Sequence, residues 1–229
     1  MTEREKILGR IREALTLSAP HPGTHGGHEP AQTFTGRPVH SAQPWLPQGG
    51  ETAEEQLERF RAASLDLKTD FRDGADEASA MAILKEIAQV EGWKKVAAHR
   101  STLTDKATQA LALPVLRTDS GYDKHEMEAC DVGITECDVL VAQTGSLIVT
   151  SRSSGGRALS VLPPHHVVIA RREQLVRDLS AAFALIQQKY ADNYPSMISL
   201  VTGPSRTGDI ERILVLGAHG PKKLTVILW

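Results

Sequence analysis

Helix-type and strand-type patterns alternate along this chain from Glu51 to the C-terminus, and this alternation constrains the fold more than any other feature. Apolar residues recur at helical spacing over 52–65 and 76–91, and a strand-length run follows at Lys95–His99. A strand, a crossover helix and a second strand form a βα unit, so repeated alternation favours parallel pairing. The sequence therefore predicts an α/β fold with a mixed but mainly parallel sheet flanked by helices.

The second half of the chain adds one hairpin and one long helix to this pattern. Cys137–Ala142 and Ser146–Thr150 predict two strands joined at a tight turn. Glu173–Tyr190 predicts a helix with one apolar face. The segment Pro163–His166 predicts a turn that enters the next strand, with its two histidines along a sheet edge. Further strand-length apolar runs are at Val115–Leu116, Val167–Ala170, Met197–Thr202, Ile213–Leu216 and Leu224–Leu228.

The first 50 residues differ from the rest in composition. Residues 3–17 place their apolar side chains on one face of a helix, which predicts a short amphipathic helix. Residues 18–50 hold six of the 12 prolines, six of the 18 glycines and four of the nine histidines, and such a segment buries too little apolar surface to order itself. We therefore predict that residues 1–50 are this helix and a flexible connector, and that residues 51–229 are the α/β domain. The helix can pack on its own domain or on a second copy, so a homo-oligomer stays open.

Charge, cysteine content and hydropathy exclude several classes of protein. Lys and Arg total 26 against 28 Asp and Glu, so the chain has no positive field to hold nucleic acid. Two cysteines are too few for a disulfide framework, a four-thiolate zinc site or an iron–sulfur cluster. The charged N-terminus does not resemble a leader, and no apolar stretch approaches the ~18 residues that cross a bilayer. We expect a cytoplasmic protein without a membrane span.

The stretch Thr202–Glu211 is the richest candidate for ligand binding. It follows an apolar strand, and a glycine-bearing turn there can point successive backbone amides into one concavity. Arg206 and the hydroxyls of Ser205 and Thr207 are suited to a carboxylate or a phosphate. The spacing matches neither a Walker A loop nor G-x-G-x-x-G. A strand-to-helix turn capped by Ser205 or Asp209 is an equally open interpretation.

Two further stretches carry groups that can transfer protons. Leu216–Pro221 places His219 in a glycine-flanked loop that exposes the imidazole, although a lone loop histidine is more often structural or solvated. Asp131–Glu136 leads into a strand and is followed by Thr144–Ser146. Glu136 can serve there as a base, a nucleophile or a ligand-orienting carboxylate.

His21, His25 and His28 are spaced closely enough to suggest metal binding. They lie in the Pro/Gly-rich segment without cysteine or carboxylate partners at defined spacing. We therefore predict no metal site.

The motifs together resemble one family. From about Glu51 to the C-terminus, in order, the chain resembles the LUD-domain family of lactate-utilisation proteins. That family implies a fold similar to the sugar-phosphate isomerase and CoA-transferase superfamily. It also implies a role in oxidising L-lactate to pyruvate together with two iron–sulfur partner proteins, which would hold the clusters that this chain has too few cysteines to bind. The stretches that carry the resemblance are Gly133–Glu136 continuing to Thr144–Ser146, Leu162–Ile169, Thr202–Glu211 and Leu216–Pro221.

The resemblance supplies no established catalytic residue, so the site predictions combine these motifs with chemically capable groups. We predict a non-redox subunit without a bound cofactor, in which Arg206 holds a small anion such as lactate or pyruvate while His219 or Glu136 transfers a proton. Two alternatives stay open: a stand-alone enzyme acting on an acyl, CoA or phosphosugar substrate with Glu136 as base or covalent group, and a purely structural loop. The predicted anion-binding residues are Thr144, Gly145, Ser146, Gly203, Ser205, Arg206, Thr207 and Asp209.

Overall fold

The computed structural model describes residues 5, 6, 8, 9, 47–208, 214–217 and 219–229. Residues 47–229 form one compact unit, and residues 1–46 form a separate one. Of the N-terminal unit, residues 5, 6, 8 and 9 are helical. The rest of the helix predicted over 3–17 and most of the connector predicted over 18–50 lie outside the described residues.

A six-stranded sheet, parallel throughout, forms the centre of the compact unit. Its inner strands are rich in valine, isoleucine and alanine and are buried along their length. This composition is typical of parallel strands that are covered on both faces. The predicted α/β fold with a mainly parallel sheet is confirmed. The order across the sheet is β1 (Asp70–Asp73), β12 (Lys223–Leu228), β7 (His165–Ala170), β4 (Val132–Glu136), β2 (Val96–Ala98) and β3 (Val115–Arg117).

The helices of this unit begin at residues whose side chains accept hydrogen bonds from the first turn. Thr52, Asp76 and Asp178 each accept one from a backbone amide three residues further on. These bonds satisfy amides that have no partner within the helix. The helices described in this unit are α1 (Ala53–Leu67), α2 (Glu77–Glu91), α3 (Thr102–Leu111), α4 (Lys124–Glu128) and α5 (Leu179–Tyr190).

A second sheet covers one face of the central sheet, while α2 and α3 pack on the other. Leu140 and Leu147 of the second sheet share a core with Phe60 of α1 and with the central sheet. Val139 and Ile148 point the opposite way and pack against α5. The predicted hairpin is confirmed as an antiparallel pair within this sheet. The order across it is β8 (Leu175–Val176), β5 (Val139–Val141), β6 (Ser146–Thr150) and β9 (Ile198–Val201).

The helix predicted over Glu173–Tyr190 begins later than expected. Arg172–Gln174 is a single 3₁₀ turn, and the next two residues form β8. Leu175 pairs with Leu140 of β5, and the side chain of Asp178 then accepts a hydrogen bond that starts α5. The pairing with β5 outweighs the helical spacing of the apolar residues, because tertiary contacts override local preference.

Two other local predictions were wrong. His165 and His166 lie in β7, an interior strand rather than a sheet edge, where they are almost completely buried. The turn capped by Ser205 does not lead directly into a helix, since Arg206–Gly208 forms strand β10 and pairs antiparallel with β11 (Leu214–Leu216). Among the described residues, no helix is both long and apolar enough to cross a membrane.

Candidate functional site

The predicted site residues divide between the two edges of the central sheet. Because its strands are parallel, their carboxyl ends lie along one edge and their amino ends along the other. Glu136 ends β4 at the carboxyl edge. At the amino ends of β7 and β12, the amide of Lys222 donates to the carbonyl of Pro164 (2.8 Å) and that of Ser205 to the carbonyl of Pro221 (2.9 Å).

We call residues 144–146, 202–206, 217 and 219–221 the amino-edge cluster, since the structure brings these three loops together. The hydroxyl oxygens of Ser146 and Thr202 are 2.8 Å apart. The carbonyl of Ser205 accepts a 2.9 Å hydrogen bond from the amide of Gly217. The sequence-predicted loops on both sides of β10 and β11 are therefore neighbours.

Two glycines of the amino-edge cluster are required by its packing on α1. Gly145 has φ +63, and a Cβ there would lie 2.8 Å from the Cβ of Ala63. Gly203 has φ +86, and its Cβ would lie 3.1 Å from the carbonyl oxygen of Leu67. Both the left-handed backbone and the close contact favour glycine. This packing accounts for both glycines without a ligand.

The other predicted residues of this cluster differ in exposure. Arg206 and His219 are exposed, and neither forms an ion pair with a described carboxylate. The hydroxyl of Thr144 is buried and has no hydrogen-bond partner among the described residues. Thr207 pairs through its backbone with Val215. The predicted residue Asp209 lies outside the described residues.

A cleft of about 680 Å³ opens at the carboxyl edge, and we call it the carboxyl-edge cleft. Glu136, which ends β4, and Arg171, which directly follows β7, both line it. Lys189 and Tyr190, at the end of α5, line it as well. Ligands of open α/β sheets commonly bind outside the carboxyl ends of the strands, and this volume suits a small organic molecule. The charged residues of the lining are Glu136, Arg152, Arg171, Glu173, Lys189 and Asp192.

Glu136 is held in position by the start of α3. The hydroxyl of Ser101, the residue before this helix, donates a short hydrogen bond to Oε1 of Glu136. Oγ of Ser101 in turn accepts a hydrogen bond from the amide of Thr104 (3.2 Å), in the first turn of α3. The positive end of the helix dipole therefore faces a carboxylate, which is a favourable arrangement.

An ion pair between the buried carboxylate of Asp138 and the exposed ammonium of Lys189 lies at the cleft. Oδ1 of Asp138 accepts hydrogen bonds from Nζ of Lys189 and from the hydroxyl of Tyr190, both 2.6 Å long. Burial would raise the pKa of Asp138, but the bonds from Lys189 and Tyr190 outweigh it and the pKa lies below its usual value. Lys189 is consequently neutralised within the protein, which leaves Arg152 and Arg171 as the basic groups available to a ligand.

Neither cleft arginine is paired with a carboxylate of the described residues. Arg152 donates to the carbonyl of Asn193 (3.2 Å) and lies 5.7 Å from the centre of the Tyr190 ring. The neighbour of Arg171, Arg172, is instead tied to Asp73. Unpaired guanidinium groups beside a cleft are suited to a carboxylate or phosphate ligand.

The loop Ser151–Arg157 contributes to this edge and was missed by the sequence analysis. Gly155 has φ +60, and a Cβ there would lie 2.1 Å from the Cβ of His99, directly after β2. Burial lowers the pKa of His99, although the nearby carboxylates of Glu136 and Asp119 oppose this. A run of serines and two adjacent glycines between two arginines was the signal that could have drawn attention to this loop.

One ligand of lactate size cannot contact both edges in the same chain. In the register of the sheet, Glu136 lies beside Ile169, whereas Lys223 lies beside His165. These positions are separated by four residues of β7, or ~13 Å of strand. The structure therefore separates Glu136 from the other predicted site residues.

The LUD domain family model matches residues 71–229, a region that includes both edges of the central sheet. This chain belongs to the LUD-domain family. A structural comparison agrees with its fold: a crystal structure of a DUF162 family protein from Deinococcus radiodurans superposes with a TM-score of 0.61 and 22% identity. The superposition covers 78% of this chain and 99% of that chain.

Several relatives of this LUD-domain protein carry the name lactate utilization protein C. The one from Bacillus licheniformis is 38% identical over 103 residues, which are 44% of this chain and 43% of the relative. The one from Shouchella clausii is 36% identical and covers 48% of both proteins. In these two matches the chain spans about half the length of the relative or less. The protein of this name from Bacillus velezensis is 24% identical over 100% of this chain and 96% of its own length.

Proposed function

We propose that this protein is a component of a lactate-utilisation system that oxidises L-lactate to pyruvate together with iron–sulfur partner proteins. The relatives named lactate utilization protein C support the pathway, and one of them aligns with the whole chain. The observation that carries the proposal is the carboxyl-edge cleft, in which Glu136 lies beside unpaired arginines.

The residues of the cleft suggest different roles for its arginines and its glutamate. Arg171 and Arg152 would bind the carboxylate of lactate, and Glu136 would accept the proton of its hydroxyl. Oxidation of lactate to pyruvate releases two electrons and two protons; Glu136 would take the hydroxyl proton, and the proton from C2 would pass to solvent as the two electrons leave. Both cysteines, Cys130 and Cys137, are buried free thiols, and two thiolates are too few to ligate a four-cysteine cluster. We therefore assign the electrons to iron–sulfur clusters of the partners.

The test is lactate-dependent reduction of an artificial electron acceptor by the purified chain, alone and after addition of two candidate iron–sulfur partners. We expect activity in the mixture and none with either component alone. Lactate-dependent activity of this chain alone would overturn the need for iron–sulfur partners. An inactive mixture whose partners carry intact clusters would overturn the lactate proposal.

A binding experiment distinguishes the two edges. Calorimetry with pyruvate should show roughly tenfold weaker binding for Arg171→Ala, because a charge-assisted hydrogen bond contributes about 1.5–3 kcal/mol. Arg206→Ala is the matched control at the amino edge, where another exposed arginine is removed. Weaker binding for Arg206→Ala alone would move the ligand to the amino-edge cluster, as the sequence analysis predicted.

A further inference from the structure

We propose that the hydroxyls of Ser101 and Thr104 form a relay of hydrogen bonds that stabilises Glu136 after it has accepted a proton. Both residues would then be positioning residues for the proton-transfer step. This inference rests on the proposed role of Glu136 as the proton acceptor in the carboxyl-edge cleft.

The relay consists of three consecutive contacts between oxygen atoms. Oε1 of Glu136 contacts Oγ of Ser101, and this oxygen lies 2.9 Å from Oγ1 of Thr104. Oγ1 of Thr104 lies 2.6 Å from the backbone carbonyl of His99. The chain of contacts therefore runs from the cleft to a backbone acceptor at the end of β2.

Counting protons shows which state of Glu136 completes this chain. A carboxylate only accepts, and each hydroxyl has one proton to donate. With Glu136 ionised, Ser101 and Thr104 supply two protons for three contacts, so one contact is not a hydrogen bond. With Glu136 protonated, it donates to Ser101, Ser101 donates to Thr104, and Thr104 donates to the carbonyl of His99.

The acceptors are also sufficient in the protonated state. Oγ of Ser101 has two lone pairs, one for Glu136 and one for the amide of Thr104, 3.2 Å away. Transfer of a proton to Glu136 therefore adds one hydrogen bond without moving a heavy atom. One such bond changes an equilibrium roughly three- to tenfold. Because the gain appears only as the proton arrives, it favours the transfer over the bound ground state.

The relay is built on rigid parts of the fold. Thr104 is completely buried, and Nη1 of Arg117 donates a second bond, 2.9 Å long, to the carbonyl of His99. That carbonyl therefore keeps a donor when the hydroxyl of Thr104 is removed. The titratable and charged groups around Glu136 and the relay are His99, Asp105, Arg117, Asp119, Arg152, Arg171, Glu173, Lys189 and Asp192.

Thr104→Val is the decisive variant, because it removes the hydroxyl, keeps the shape of the side chain and retains the amide that bonds to Ser101. The protonation of Glu136 is measured across pH by infrared spectroscopy. The spectrum of each protein's Glu136→Gln derivative is subtracted from its own spectrum, which isolates the signal of the Glu136 carboxyl group. We expect Thr104→Val to lower the proton affinity of Glu136 roughly three- to tenfold. In the reconstituted lactate assay, kcat should fall by a similar factor with KM changed less than twofold.

Thr108→Val is the matched control, since Thr108 is a buried hydroxyl on the next turn of α3 that does not bond to Glu136. It donates to the carbonyl of Thr104 (2.9 Å) and accepts from Nη2 of Arg117 (2.8 Å). Nη1 of Arg117 keeps its own bond to the carbonyl of His99 in this variant. The control should leave the proton affinity of Glu136 within twofold.

Ser101→Thr, which keeps a hydroxyl and a helix cap, should retain the wild-type proton affinity, whereas Ser101→Ala should not. Equal proton affinities for Thr104→Val and Thr108→Val would overturn the relay. If Thr104→Val lowers the proton affinity of Glu136 but the wild-type protein supports no lactate oxidation, the relay stands and the proposed function is rejected.

Discussion

The amino-edge cluster and the carboxyl-edge cleft differ in how they appear in the sequence and in the structure. The amino-edge cluster combines glycine, serine, arginine and histidine in short segments that resemble a binding motif. In the structure, its glycines pack on α1 and its loops bond to each other through their backbones. The carboxyl-edge cleft has no compact motif, yet it places Glu136, Arg152 and Arg171 around an open volume. A short segment rich in glycine, serine and arginine can therefore result from close backbone packing as readily as from ligand binding.

Replacing the two predicted proton-transfer residues tests this comparison most strongly. Glu136→Gln should lower lactate oxidation by the reconstituted system by about 10²- to 10⁴-fold, the usual contribution of a general base. His219→Gln should have a much smaller effect, because His219 lies at the opposite edge of the sheet. A larger loss for His219→Gln would reverse the assignment of the two regions.

The packing of the missed loop at the carboxyl edge can be tested by stability. Gly155→Ala should reduce the free energy of unfolding by roughly 3 kcal/mol, because the new Cβ would overlap His99 at a position with positive φ. Urea denaturation measures this loss. Gly156→Ala serves as the comparison, since a Cβ there meets nothing within 4 Å and only the strain of φ +111 is added. Equal losses would show that contact with His99 is unimportant.

Acid should destabilise the amino end of β7 through its buried histidines. Burial lowers the pKa of His165 to about 4 and that of His166 to about 3. Because the unfolded chain binds these protons near pH 6.5, the stabilisation is complete above that pH and is lost as the pH falls towards the folded values. Lowering the pH from 7 to 5 should therefore reduce the free energy of unfolding by about 2 kcal/mol for each histidine.

His166→Gln separates this contribution from other acid effects. The amide can still bond to Thr135, the partner of His166 at 2.9 Å. When the pH is lowered from 7 to 5, the free energy of unfolding of the variant, measured by urea denaturation, should fall by roughly 2 kcal/mol less than that of the wild type. An unchanged dependence on pH would show that His166 does not stay neutral in the folded protein.

The smallest effect is expected for the hydrogen bond that joins two loops of the amino-edge cluster. Ser146→Ala removes the 2.8 Å contact with Thr202 and should lower the free energy of unfolding by about 1 kcal/mol. Thermal denaturation detects a change of this size. Thr202→Val, which removes the other partner of the same contact, should give a similar loss if the bond is structural.

The sequence predicted four strands of the central sheet, because each is a short apolar run. It did not predict β1, whose residues are mostly polar, or β4, which was interpreted as a segment leading into the next strand. It did not predict β8, since Leu175–Val176 becomes a strand only by pairing with β5. Histidines were assigned to an edge because polar residues are usually exposed, whereas Thr135 and Thr225 provide hydrogen bonds inside the sheet.

Only part of the candidate site could be predicted in the same way. Glu136 was identified because a carboxylate next to a strand is chemically conspicuous, although it ends β4 rather than preceding the next strand as predicted. Its neighbour Arg171 was not, since the two residues approach only because β4 and β7 pair in the sheet. Ser101 was missed for a related reason: its contact with Glu136 depends on the adjacent position of β2 and β4.

The ion pair between Asp138 and Lys189 connects the segment after β4 to the last turn of α5. One end of this connection lies two residues from Glu136, and the other end lines the cleft. A ligand that touches both sides would therefore suppress local opening of the α5 terminus. Amide hydrogen exchange over residues 188–193 should slow when the cleft is occupied, so ligands could be screened without partner proteins or turnover.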